Sequence, residues 1–366
     1  MMKDSYGRTI DYMRISITDR CNLRCCYCMP EGARKEPPSQ ILTFEEILAV
    51  VICGAGLGIR HIRLTGGEPL VRKGCAQLVR MLKIVPGIET VTLTTNGILL
   101  KENLPALLDA GIDGINVSLD TRDRARYRQI TGADGLETVE SAIRAACKCG
   151  IPVKINAVSI DFDRCGFGRG DFEEGELQNV SRQFLLPDWA AVAELARELP
   201  VDVRFIEMMP IGYGRQYQTI SHERLLQEMK ARYPGLEPDS RRHGAGPAVY
   251  YRAPGFQGSL GLISAIHGKF CGDCSRVRLT AEGFLKTCLC YPDGADLRAV
   301  LRGPESPILR ANGHFFWPFA ACPGEEGLQR RLREAMEKAI LEKPGAHCFE
   351  DPRAMREQRN MIDIGG

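Results

Sequence analysis

Between residues 12 and 209, short β-branched runs alternate with stretches of helical period, and turns rich in Gly, Asp or Asn separate them. The runs are MRISIT from Met13, HIRLT from His61, TVTLTT from Thr90, GINVSL from Gly114, VKINAVSI from Val153 and VDVRFIEMM from Val201. Between them, apolar residues recur every three or four positions, as in Phe44 to Ala55, Leu136 to Cys149 and Asp188 to Leu199. Thr43 and Glu46 form a capping box that opens the first of these helices. Alternating strand and helix predict parallel βα units. Six such units are too few for a closed barrel of about 250 residues, so the pattern predicts an α/β fold: a partial, TIM-like (β/α)6 barrel or an open doubly wound sheet.

One strand breaks the usual rule. Arg14, Ser16 and Thr18 alternate with Met13, Ile15 and Ile17, whereas inner strands of a helix-covered sheet tend to be apolar on both faces. A polar inner face predicts a polar cavity. Ligands in either architecture gather at the C-terminal ends of strands. There, Arg63, Thr65, Gly66 and Gly67 close the second run, and Thr94, Thr95, Asn96 and Gly97 the third.

After Pro210 the rhythm is lost: a loop-rich stretch leads to a cysteine group at 271 and a helix from Gly327 to Leu341. This predicts a smaller second domain, dividing the chain at 1–212 and 213–366. Asp161 to Pro187 and Gly303 to Gly327 show no period and read as insertions, surface loops or unspliced non-coding sequence.

Composition narrows the class. The 366 residues, 44% hydrophobic and 26% charged, suit a soluble protein of roughly two domains. No run approaches the roughly 20 apolar residues of a membrane span, and the N-terminus has no signal or transit pattern. The expectation is a cytoplasmic protein, or a mitochondrial-matrix one if a presequence precedes this chain. A net charge of +2 exerts no global pull on nucleic acid or membranes, so anion binding falls to local cations. Fifteen cysteines without an export signal favour metal or redox chemistry over disulfides. Of these, Cys53, Cys75, Cys147 and Cys149 lie in helical patterns and read as small buried hydrophobes. The six histidines form no metal-binding pattern.

The stretch DRCNLRCCYCMP places Cys21, Cys25 and Cys28 at C-x3-C-x2-C. A cubane iron-sulfur cluster normally takes four cysteines, so three would leave one iron open to another ligand. A second group, Cys271, Cys274 and Cys288, is spaced C-x2-C-x13-C. Here a structural zinc site with Cys290 as fourth thiolate fits equally well. Arg276 and Arg278, between these cysteines, share one strand face, and paired guanidinium groups suit phosphate recognition.

With the first cysteine motif after one strand and GGEP after the next, the chain resembles the radical S-adenosylmethionine superfamily. The second group, the interposed SRVRL and the terminal MIDIGG narrow the resemblance to the GTP 3',8-cyclase family of molybdenum cofactor biosynthesis. The likeness implies a 4Fe-4S cluster on Cys21, Cys25 and Cys28, with S-adenosylmethionine at the open iron and Tyr27, Gly67, Ser118 and Met209 contacting that cofactor. It implies a second 4Fe-4S cluster on Cys271, Cys274 and Cys288, facing the guanine of GTP. Arg14, Arg63, Thr94, Lys154, Arg276 and Arg278 match the nucleotide-binding positions, and Gly365 and Gly366 match a tail that reaches the active site. Catalytic roles are implied for Arg14, Arg276, Arg278 and the two glycines. Expected partners are a reduced flavodoxin or ferredoxin and a downstream cyclic pyranopterin monophosphate synthase, and a homodimer is allowed. The rival readings are a radical enzyme that modifies a peptide and a zinc-ribbon protein that binds nucleic acid; near-neutral charge and few aromatics beside the arginines count against the latter.

Overall fold

The computed structural model describes residues 1–30, 36–161, 188–241, 243–303, 325–351 and 353–364. The six predicted runs become strands β1 (Tyr12–Ser16), β2 (His61–Thr65), β3 (Thr90–Thr95), β4 (Gly114–Ser118), β5 (Val153–Ser159) and β6 (Val201–Glu207). All pair in parallel and in sequence order. Helices α1 (Phe44–Leu57), α2 (Cys75–Lys83), α3 (Leu100–Asp109), α4 (Arg124–Thr131), α5 (Leu136–Lys148), α6 (Asp188–Glu198) and α7 (His222–Arg232) follow in turn.

The first helix starts where its capping box predicts: the Thr43 hydroxyl accepts from the Glu46 amide at 3.2 Å, and the Glu46 carboxylate accepts from the Thr43 amide at 2.7 Å. Left-handed Gly58 ends it. With the short turn before it, Pro38–Leu57 is apolar and long enough to cross a membrane, which amends the expectation that no segment is. Yet Ile47, Leu48, Val50 and Val51 are buried in the main core, so the hydrophobicity is that of a core helix.

Past residue 232 the chain adds β7 (Glu237–Pro238), β8 (Val249–Arg252), β9 (Leu260–Ile263), β10 (Arg276–Leu279), β11 (Phe284–Lys286) and β12 (Gly294–Asp296). These build no sheet of their own. Strand β9 pairs in parallel with β6, and β10 in parallel with β1, so one twelve-stranded sheet runs β12-β11-β10-β1-β2-β3-β4-β5-β6-β9-β8-β7. Eight adjacent strands are therefore parallel, six from the predicted units and two from the later segment.

Register sorts the side chains cleanly between two faces. Met13, Ile15, Ile62, Leu64, Val91, Leu93, Ile115, Val117, Val153, Ile155, Val201 and Val203 point to the helices and are essentially inaccessible. The opposite face carries the polar residues. The helix predicted from Gly327 runs Glu325–Leu341 and packs against α1. Cys53 and Cys75 are buried as expected, but Cys147 is half-buried and Cys149, capping the C-terminus of α5, is exposed. The two aperiodic stretches fall largely outside the described residues, as do Gly365 and Gly366.

Candidate active site

The inner face of the sheet is a ladder of polar side chains. Arg14 on β1 is in register with Arg278 on β10 and with Arg63 on β2, which in turn is in register with Thr92 on β3. A neighbouring row joins Thr94, Asn116, Lys154 and Asp202 across β3 to β6, and Arg276 lies opposite Tyr12. All six expected nucleotide positions thus share one face.

Cations held this way are costly. Burial, then the charges of Arg278 and Arg63, hold the Arg14 guanidinium well below its ordinary pKa; burial and Arg276 bring Arg278 to about 10, and burial lowers Arg63. Lys154 is lowered to about 8 by burial and by Arg204, against the pull of Asp202. Among the described residues, the buried Arg14 Nε and Thr94 Oγ1 have no hydrogen-bond partner. Buried polar atoms normally find partners, so both fit a site built for a polar ligand.

The loop after β1 carries the first thiol trio. It is fixed to α4 by the Arg24 and Cys26 amides, which donate to the Thr131 and Ile130 carbonyls at 2.8 and 2.9 Å. The turn after β2 closes on the same loop: the Gly67 and Glu68 amides donate to the Thr18 and Arg20 carbonyls, each at 2.8 Å. A Cβ on Gly67 would meet the Arg20 carbonyl oxygen at 2.3 Å, so only glycine permits this approach. Cys21, Cys25 and Cys28 are free, partly buried thiols, and burial raises all three, with Cys28 at about 12. Behind them a small cavity is lined by Cys25, Tyr27, Asn96, Ser118, Asp120 and Tyr127. The Tyr27 hydroxyl donates to Asp120 at 2.6 Å, and burial raises that carboxyl to about 6. Met209 lies just past the end of β6 and packs against the apolar cluster that contains Ile211 and Ile364.

The second trio sits at the other end of the β1–β10 pair. Cys271 and Cys274 precede β10, and Cys288 follows β11, which returns antiparallel beside it. Two buried cations stand behind them. Arg8, paired to Asp4 at 2.5 Å, donates to the carbonyls of Cys271, Pro344 and Gly345. Lys343 donates to the carbonyls of Arg276, at 3.0 Å, and Thr287. Burial pushes the Cys274 thiol up, but the charges of Lys343 and Arg276 outweigh it and bring the pKa to about 7. Cationic surroundings suit thiolate ligands.

Three contributors lay outside the sequence reading. Arg204 is buried on the polar face and donates to Asn116 at 2.8 Å and Asn156 at 2.6 Å; its alternation within VDVRFIE was the same signal that marked Arg14. Glu68, fully buried, accepts from the Thr95 hydroxyl at 2.8 Å and the Asn96 amide at 2.6 Å, while burial raises it to about 7. Lys343 contacts backbone carbonyls and carries no motif. Cys290, read as a spare ligand, is turned instead toward Cys348.

Residues 15–163 match the Radical SAM superfamily, and residues 201–312 match Molybdenum Cofactor Synthesis C. Over its full length the chain is 37% identical to the GTP 3',8-cyclase of Clostridium perfringens, 38% to that of Alkaliphilus oremlandii and 39% to that of Moorella thermoacetica, each covered completely. The chain belongs to the GTP 3',8-cyclase family. As a radical S-adenosylmethionine protein, this member of the cyclase family uses a 4Fe-4S cluster and S-adenosylmethionine. Its fold is shared with Streptococcus suis SuiB bound to the precursor peptide SuiA, at a TM-score of 0.54 and 12% identity, covering 98% of this chain and 76% of that one.

The first trio suits that cluster. Three partly buried thiols crowded in one loop resist ionising together, and metal ligation offsets the cost. Among the described residues no three His, Cys, Asp or Glu side chains converge as ligands of a single ion; a cubane gives each thiolate its own iron.

Proposed function

We propose that this cyclase-family chain converts GTP into 3',8-cyclo-7,8-dihydro-GTP, the first step of molybdenum cofactor biosynthesis. The observation that carries the reading is the row Arg278–Arg14–Arg63, buried on one sheet face between two thiol trios. Facing cations at that density require an anion of several charges, and a triphosphate provides one.

The cluster on Cys21, Cys25 and Cys28 and its S-adenosylmethionine supply one-electron cleavage of the cofactor when bound. The work of the chain is then to hold and shield. Tyr27 and Ser118 line the cavity beside Cys25, and Gly67 lets the backbone close in on Cys21. Arg14, Arg63, Arg278 and Lys154 grip the triphosphate, while Arg276 and Thr94 complete the row of donors to the nucleotide. Reacting carbons must lie roughly 3 to 3.5 Å apart with water excluded, and the polar face of the sheet would hold the nucleotide for that approach. Cys271, Cys274 and Cys288 would hold the second 4Fe-4S cluster, their cationic backing favouring thiolates, and leave a position for the purine. A flavodoxin or ferredoxin would deliver the electron, and a cyclic pyranopterin monophosphate synthase would take the product.

The test is anaerobic incubation of reconstituted protein with S-adenosylmethionine and a reductant, with and without GTP. Formation of 5'-deoxyadenosine that requires GTP, with a cyclised nucleotide as co-product, is the expected result. Equal 5'-deoxyadenosine without GTP would overturn the substrate assignment.

A further inference from the structure

We propose that Cys290 and Cys348 are a reversible dithiol–disulfide pair that fastens the C-terminal segment to the chain leaving the second thiol trio. Cys290 was surplus to that trio in the sequence, and the structure gives it a partner 58 positions away. Its sulfur lies 3.0 Å from Cys348 Sγ and accepts a hydrogen bond from the Cys348 amide at 3.3 Å. Both are free thiols. They differ in access: Cys290 is fully buried beside Leu289, Ile211, Phe349 and Ile364, whereas Cys348 is partly exposed.

That asymmetry sets the order of events in thiol–disulfide exchange. The Cys348 thiolate attacks one sulfur of a low-molecular-weight disulfide, expelling one thiolate and leaving a mixed disulfide on Cys348. The Cys290 sulfur then displaces the second small thiol, and the Cys290–Cys348 bond forms. Two electrons and two protons pass from the pair to the small disulfide, which is released as two thiols. Excess small thiol drives the same steps backward.

The bond would tie the chain just past Cys288 to the C-terminal segment. Cys290 lies two residues beyond Cys288, and Cys348 begins the segment that ends in the Met361–Ile364 turn, whose Ile364 packs with Ile211 near the end of β6. In the reduced form this segment is held by packing, hydrogen bonds and the Lys286–Glu357 ion pair; in the oxidised form it is also held covalently.

The experiment uses reconstituted holoprotein under anaerobic conditions, equilibrated with oxidised glutathione, alkylated, digested and analysed by mass spectrometry, with iron measured on the same sample. The expected product is one cross-linked peptide pair joining Cys290 and Cys348, lighter by two hydrogens. Dithiothreitol removes it, and both Cys290→Ser and Cys348→Ser lack it while keeping the wild-type iron content. The proposal is overturned if both thiols remain alkylatable at equilibrium, if Cys348 stops at the glutathione adduct, or if Cys290→Ser loses iron, which would make Cys290 a cluster ligand. None of these readouts depends on GTP turnover, so they stand apart from the cyclase assignment.

Discussion

Arg14 on β1 lies in register with Arg278 on the adjacent parallel strand β10, and both guanidinium groups occupy the polar face of the sheet. Like charges side by side in a sheet destabilise it by a few tenths to about 1 kcal/mol, and here burial adds to the cost. Arg14, whose buried Nε has no hydrogen-bond partner among the described residues, carries a cost that a polyanion relieves.

It follows that Arg14→Met, which removes the guanidinium whose buried Nε has no partner among the described residues, leaves the nucleotide-free protein as stable as wild type or up to about 1 kcal/mol more stable, while GTP binding weakens. Charge-assisted hydrogen bonds contribute about 1.5–3 kcal/mol, so the dissociation constant should rise at least tenfold. Denaturant unfolding and equilibrium binding on the same samples check both halves. Loss of stability together with affinity would mean that Arg14 is structural.

Lys154 makes nucleotide affinity depend on pH. Its ammonium donates to the His243 carbonyl and to the Tyr250 hydroxyl at 3.4 Å, with Asp202 at 3.6 Å. A folded pKa of about 8, below its ordinary 10.5, means that folding disfavours the proton. The free protein should gain stability from this group as pH rises from about 8 toward 10.5. A triphosphate favours the charged form, so GTP affinity should fall as pH rises through about 8. Lys154→Arg should flatten that fall. Calorimetry in buffers of different ionisation enthalpy would also detect proton uptake on binding near that pH.

The two thiol trios should separate by function. Cys25→Ala is expected to abolish 5'-deoxyadenosine formation under all conditions. Cys288→Ala should lose about half the iron, given four irons per cubane, and still cleave S-adenosylmethionine while forming no cyclised nucleotide. Iron analysis and chromatography of both products distinguish the variants, and a Cys25→Ala protein that cleaves the cofactor would refute its role as ligand.

The C-terminal segment is anchored by a buried ion pair. Lys286, inaccessible on β11, donates to Glu357, which is 1% exposed and also accepts from Arg359 at 3.0 Å. Removing one member of such a pair costs about 3–5 kcal/mol, because the other charge is left buried and alone. Glu357→Ala should destabilise the protein by that order, and Lys286→Met combined with Glu357→Leu should recover most of it. Burial pushes the Glu357 carboxyl up, but hydrogen bonds from Arg359 and Lys286 outweigh it and hold the pKa at about 2. Its contribution should be complete above the ordinary value of 4.5 and fade as pH falls toward about 2. Thermal unfolding across that acid range, wild type against the double variant, provides the measurement.

Strands β1 to β6 were legible because each is a β-branched run bounded by turn residues, and because Arg14, Ser16 and Thr18 kept strict alternation through a strand that helices cover. Both thiol trios were visible from spacing alone. Strand β9 was not, and β10 was legible as a strand but not in its pairing: each has four residues and owes its place to partners far along the chain, β6 and β1. Arg8 and Lys343 were also hidden, since their partners are mainly backbone carbonyls, which any sequence offers. That the later segment adds its strands to the same continuous sheet was hidden for the same reason, as strand pairing over long sequence distances leaves no local trace.

Those two late strands finish both rims of the parallel array. A polypeptide ended at Arg232 would leave β1 and β6 with bare margins of unpaired amides and carbonyls, the template on which strands of neighbouring molecules dock. Light scattering of such a truncated protein should show self-association, and the radical-generating half should have no working existence apart from the part that seats the nucleotide.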